Sequence, residues 1–216
     1  MRLEEWTSPV GRRRILTRME PRERRAYALA AALAFPRPPD GPASFGSPRP
    51  GHRSTWVAER RRWRAAVHAR TNGAASIVVS DVAVCYPSIG DAAIRMAVRQ
   101  AGGDPAALLS VLARYREAGG DGIPIGPAAS GPIAEAVLAL ADERARIAGC
   151  LPVRWVDDVV FAGDPGAVHR AWRAWTATLG ELGLREHEGK RSTNARALGG
   201  RGSFAGGDRR DIMRGS

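Results

Sequence analysis

Residues 153–163 read VRWVDDVVFAG, and two adjacent carboxylates, Asp157 and Asp158, sit there between apolar, β-branched runs. Negative charge in apolar surroundings is costly unless it is paired, hydrated or neutralised. Asp is also a good turn residue. The pattern therefore predicts two strands, 152–156 and 159–162, with the acidic pair between them. The tip of such a hairpin faces either water or a metal ion, and the rest of the chain has to choose.

The chain has 216 residues, 44% of them apolar, which fits one ordinary domain or one with a small appendage. Ala and Gly supply much of the apolar share, so a helix-rich, closely packed core is expected. No apolar run is long enough to span a bilayer, and MRLEEWTSPVGRRR has no apolar signal-peptide segment. Two cysteines, Cys85 and Cys150, form no CxxC. These features predict a cytoplasmic protein with no membrane partner. The net charge of +11 and pI near 11.2 favour a polyanion, nucleic acid first. Codon bias is the plainer source of that charge, because only one of the 33 basic residues, Lys190, is lysine.

Outward from the hairpin, the first 20 residues read as mixed and loosely ordered. Residues 21–35 open with Pro and continue in helix formers, and 36–51 form a Pro-rich linker. A second helix spans 54–70, with Trp56, Trp63 and Val67 on one face and Arg60, Arg61, Arg62 and Arg64 over much of the rest. A short strand, 75–82, ends in Asp81. Helices follow at 91–101 and 104–118, the latter with Asp104 as N-cap, Pro105 in its first turn and Gly119 past its end. A turn-rich loop, 122–130, feeds a helix over 128–148, and another helix covers 164–183. A strand and turn occupy 184–192, and a Gly- and Arg-rich tail begins near 195. The organisation expected is an N-terminal helix with linker (1–52), a central unit (53–195) and a tail (196–216). The fold class is α+β, a small antiparallel sheet with helices packed on one face and the other free for a ligand. If strand 75–82 lies beside the hairpin, Asp81 and Asp157 meet at one end of the sheet. Their repulsion would be relieved by a pair of Mg²⁺ ions, which favour carboxylates together with substrate phosphates.

Four stretches then fall in a specific order: SDVAVCYPSI (80–89), GIPIGPAASGPIAE (122–135), RWVDDVV (154–160) and LGLREHEGKRS (182–192). Together they resemble the palm motifs of the reverse transcriptase family. The first matches an aspartate followed five positions on by an aromatic. The second matches the Leu-Pro-Gln-Gly type of loop, and the third the aromatic-x-Asp-Asp hairpin. The fourth matches a Gly-Leu turn with a lysine seven residues after the glycine. The likeness covers about 75–195. Its second motif is most similar to bacterial enzymes of the abortive-infection, antiviral-defence kind.

The resemblance implies a polymerase palm-like fold and RNA-directed DNA synthesis by a two-metal mechanism. It makes Asp81 and Asp157 the metal-bridging carboxylates. The Val82 carbonyl completes a metal site, and Asp158 takes a secondary place because strand neighbours point to opposite faces. Tyr86 becomes the steric gate against a ribose 2′-hydroxyl. Pro124, Gly126 and Ser130 become the floor under template and incoming nucleotide. Lys190 becomes the general acid for pyrophosphate departure, a role arginine fills badly because it stays protonated. The implied cofactor is two Mg²⁺ ions, with Mn²⁺ as a substitute. The implied partners are an RNA or DNA template-primer and dNTPs. The chain departs from the pattern in having Trp155 before Val-Asp-Asp. It has only 80 residues ahead of Asp81, where a fingers subdomain grips the triphosphate, and about 25 after Lys190, where a primer grip and thumb belong. A partner chain supplying those parts is one consequence, and a palm remnant that binds nucleic acid without robust catalysis is the alternative function.

Overall fold

A computed structural model of the chain describes residues 1–7, 13–36 and 56–195. Most of the Pro-rich linker and the tail beyond 195 lie outside the described residues.

The opening residues are ordered, contrary to the sequence reading. Strands β1 (Arg2–Thr7) and β2 (Arg13–Arg18) form an antiparallel hairpin. It is held by charge more than by apolar burial, with Arg18 Nε 2.8 Å from Glu4 Oε2 and Arg13 Nε 3.4 Å from Glu5 Oε1. Exposed pairs of this kind are each worth under about 1 kcal/mol. The anchor that adds to them is the backbone bond from Thr17 N to the Ile125 carbonyl, 2.8 Å.

Helix α1 (Pro21–Ala34) starts at a capping box in which Glu20 and Glu23 exchange side chain-to-backbone bonds, with Pro in its first turn. Helices α2 (Trp56–Thr71), α4 (Asp91–Ala101), α5 (Ala106–Glu117), α6 (Ser130–Ile147) and α7 (Pro165–Glu181) lie where the apolar periodicity puts them. The Asp104 side chain accepts from Ala106 N at the start of α5, and Asp164 from Ala167 N at the start of α7, both at 2.9 Å. A four-residue helix, α3 (Cys85–Ser88), follows the first strand of the sheet and was not expected. Tyr27, Ala30 and Ala34 of α1 are buried in the same core as Leu108 and Leu112 of α5.

Four strands make the main sheet, β3 (Ser76–Asp81), β4 (Val153–Trp155), β5 (Asp158–Gly163) and β6 (Ser192–Ala195), in the order β4-β5-β3-β6 and antiparallel throughout. Paired residues share a face, and alternation sorts the rest. Val78, Val159 and Phe161 face α6 and α7 in the core, where Phe161 meets the fully buried Trp175 edge-on at 5.9 Å between ring centroids. Fully burying each such side chain contributes about 1.5–3 kcal/mol.

The opposite face carries Asp81, Asp158, Val160, Val153 and Trp155. It is not wholly free, because α2 lies over β4 and β5, with Trp63 against Val153 and Trp155 (centroids 5.9 Å). Helices on one face only is therefore corrected to helices on both. The aromatic Trp155 gives the apolar stripe of α2 something to bury against. Over β3, Ile77 and Val79 stay half-buried on this face. Among the described residues no helix is long and apolar enough to cross a membrane.

Candidate functional site

The three carboxylates converge because of register and one turn. Trp155 pairs with Asp158, so the β4–β5 connection is the two residues Val156 and Asp157. Val156 has φ of 53°, a left-handed conformation that costs a β-branched residue about 1–3 kcal/mol. Val82 N donates to the Asp157 carbonyl at 3.1 Å, tying the turn to the end of β3. Asp158 is the first residue of β5 and lies directly opposite Asp81. Strand alternation does not separate Asp158 from Asp157, because Asp157 lies in the turn and only Asp158 in the strand. Oxygens of Asp81, Asp157 and Asp158 all lie within 4.8 Å of one another. Asp81 is 3% exposed, Asp157 half-buried and Asp158 exposed.

Lys190 reaches this cluster from the far end of the chain. After α7, Ala83 N bonds the Arg185 carbonyl (2.9 Å) and His187 N bonds the Asp81 carbonyl (2.8 Å). Glu186 is held between Ser80 Oγ (2.6 Å) and Trp172 Nε1 (2.9 Å), both of which donate to it. A 3-10 turn, Glu188–Lys190, then brings Lys190 Nζ to 2.8 Å from Asp81 Oδ2. The ammonium group stays 42% exposed as a side chain, open to a ligand from solvent.

The cluster holds more negative charge than Lys190 neutralises. Desolvation, then the charges of Asp157 and Asp81 and a hydrogen bond that protonated Asp158 can give Asp81, push the Asp158 carboxyl up to about 7. Asp157 is also raised, by burial and by Asp81, while Lys190 and Arg14 pull it back. Asp81 Oδ1 is buried, and among the described residues no donor reaches it. Three crowded carboxylates, one with an orphaned oxygen, are hard oxygen donors that could hold a divalent metal ion.

A pH dependence follows. A carboxyl whose folded pKa lies above its ordinary value, near 4, favours the fold fully below about pH 4, and loses that contribution as pH rises through about 7. Metal-free protein is therefore expected to lose melting temperature between about pH 5 and pH 8. Millimolar Mg²⁺ or Mn²⁺ should recover more of it at the higher pH, and Asp158→Asn should flatten the profile. Differential scanning fluorimetry across pH reads this, and equal metal-induced shifts at both ends would contradict it.

The remaining residues singled out from the sequence frame the cluster. Val82 is buried, and its amide makes the turn contact above. Tyr86, half-buried in α3, accepts through its carbonyl from Ile123 N at 3.0 Å, so the 122–130 loop docks on the segment after β3. Gly122 allows that approach: its φ is +59°, and a Cβ there would lie 2.4 Å from the carbonyl oxygens of Tyr86 and Pro87. Pro124 is buried, and Gly126, with φ of +116°, is exposed. The Ser130 hydroxyl, buried at the start of α6, shares a hydrogen bond with Tyr27 of α1 at 3.0 Å.

Of the arginines on α2, Arg60 lies over the Trp155 ring at 5.8 Å and Arg62 pairs with Glu59 at 3.1 Å. The sequence reading missed two others. The positive charge of Arg14 of β2 adds, after that of Lys190, to the influences that lower the Asp157 pKa. Arg154, 0% exposed, lies beneath the hairpin tip between Glu135 and Asp142. Its signal was present, since two acids seven residues apart sit within the apolar stretch of α6 and need a buried cation. Compared with protein-family models and with curated proteins, the chain gives no match.

Proposed function

We propose that this chain is a reverse transcriptase-like palm that carries out template-dependent nucleotidyl transfer, extending a primer with dNTPs on an RNA template. The observation that carries the reading is the meeting of Lys190 with Asp81 across 109 residues, beside Asp157 and Asp158, where the buried Asp81 Oδ1 accepts no hydrogen bond from the described residues. A turn aspartate or a surface lysine alone would be ordinary. Their convergence from separate stretches is what phosphoryl transfer needs.

Asp81, Asp157 and Asp158 would hold Mg²⁺, which when bound activates a 3′-hydroxyl and stabilises charge on the phosphates. The primer 3′-oxygen bonds to the α-phosphorus, the bond to the β-phosphate oxygen breaks, and the hydroxyl proton passes to solvent. Lys190 Nζ gives a proton to the departing pyrophosphate. Tyr86, held by its backbone bond to the loop, walls the sugar position. The positive charge of Arg14, on the β1–β2 hairpin, helps lower the Asp157 pKa from a part of the chain the sequence reading left unstructured.

The test is primer extension on RNA and on DNA templates with Mg²⁺ and dNTPs, run beside Asp157→Asn. Extension by the wild type and none by the variant supports the reading and names the template. Equal nucleic-acid binding by both with no extension by either defeats it in favour of a binding remnant.

A further inference from the structure

We propose that Arg154 is a positioning residue for the carboxylate site, holding the Val156–Asp157 turn in its left-handed form through the Val156 carbonyl. Only the kinetic arm of its test rests on the polymerase reading. A buried guanidinium is an expensive way to fill a core, and apolar residues of similar volume usually serve the fold as well or better. Its contacts show what apolar residues could not supply. Arg154 Nε lies 2.8 Å from Asp142 Oδ2, Nη2 lies 2.9 Å from Glu135 Oε2, and Nη1 donates to the Val156 carbonyl at 2.8 Å. Trp175 Nε1 takes the other Asp142 oxygen at 3.1 Å, so that carboxylate cannot swing away.

On the α6 side the planar fork is held by the Nε bond to Asp142 and by the ion pair with Glu135, and Nη1 is directed at the main chain of the turn. Burial alone would draw the guanidinium down, but the charges of Asp142 and Glu135 outweigh it and keep the group protonated. The clamp therefore persists across the working pH range.

Why the turn needs a clamp follows from Val156. A β-branched residue at positive φ persists only where its surroundings over-determine it. Two bonds do so here, Arg154 to the Val156 carbonyl and Val82 N to the Asp157 carbonyl. Together they fix both peptide groups of the turn, and so the direction in which the Asp157 side chain leaves it. Arg154 makes no hydrogen bond or ion pair with Asp81, Asp157 or Asp158 and acts on them through the backbone.

Removing Arg154 alone would strand two buried acids, so the test uses Glu135→Met, Asp142→Asn and Arg154→Met together. The amide oxygen at position 142 keeps the bond from Trp175. Melting reports the fold, and Mn²⁺ titration followed by electron paramagnetic resonance reports the site, with Asp157→Asn as the control that assigns the signal. The triple variant is expected to melt within a few degrees of wild type yet bind Mn²⁺ about 10- to 100-fold more weakly, the usual effect of losing an outer-shell contact. Its kcat should fall by a similar factor with little change in nucleotide KM.

A folded triple variant with wild-type Mn²⁺ affinity overturns the proposal. If that variant does not melt cooperatively, Arg154→Lys, which keeps the charge and gives up the fork, decides by the same titration. A wild type that binds Mn²⁺ but extends no primer overturns the polymerase reading and leaves the clamp to be judged on affinity. Absence of Mn²⁺ binding by the wild type overturns both.

Discussion

Asp81→Asn is expected to lower primer extension by about three orders of magnitude or more, the several kcal/mol of charge stabilisation that the bound ions supply. The metal-free variant should nevertheless melt no lower than wild type at about pH 8, where the carboxylates are ionised. The two effects have one cause. Asp81 lies opposite Asp158 and raises the pKa of both Asp157 and Asp158, so its charge works against the fold when no cation is present. An amide at that position keeps the shape, can donate to a neighbouring carboxylate, and removes the crowding. The lost partner is Lys190, and a half-exposed ion pair is worth little to stability. Steady-state extension and a metal-free melt on the same preparation check both. A variant that melts many degrees lower would make Asp81 a structural residue and Lys190 its structural counter-ion.

Lys190→Arg is expected to cost roughly 10²- to 10⁴-fold in kcat, the usual worth of a positioned general acid. The substitution keeps the positive charge beside Asp81 and replaces an ammonium group with a guanidinium, a far poorer proton donor. If Lys190 acted only as a charge, arginine would serve and the loss would be small. The pH profile separates the two cases: a general acid at position 190 predicts an alkaline limb of kcat with lysine that is absent with arginine. Lys190→Ala should lose a comparable factor in kcat and, lacking the charge, also weaken nucleotide binding. An arginine variant with wild-type kcat and an unchanged profile would remove Lys190 from acid catalysis.

The parts of the fold legible in the sequence are those where one residue type has one cheap explanation. Asp104 and Asp164 marked helix starts, and the apolar spacing of α4 to α7 gave their extent. Asp81, Asp157 and Lys190 stood out because charge inside apolar runs, and one lysine among arginines, lack a packing reason. The β1–β2 hairpin was hidden because RLEEWT and RRILTR show no inside and outside for periodicity to find; its register comes from opposed charges and from a loop more than 100 positions later. The placement of Asp158 relative to Asp157 was not legible because a one-residue difference in where a turn ends moves a side chain to the other face. Arg154 is not marked by VRWV itself, where alternation says nothing of its partners; its signal lies in Glu135 and Asp142, two acids in the apolar stretch of α6. The position of α2 over Trp155 depended on a tertiary contact between Trp63 and a strand nearly a hundred positions away, which no local pattern encodes.

The order of the strands also sets when this site can exist during synthesis. β3 is flanked on both sides by strands made later, β5 and then β6. On the ribosome it waits, with both edges unpaired, until the hairpin arrives, and it keeps one bare edge until the last described strand emerges. Non-local pairing of this kind folds slowly and leaves apolar edge strands open to other chains. Nascent chains stalled before β4 should therefore be the aggregation-prone species, and chains stalled after β5 but before Lys190 should hold the carboxylates together without their lysine. The acid triad is thus complete in the growing chain before the ammonium group that pairs with Asp81 has been made.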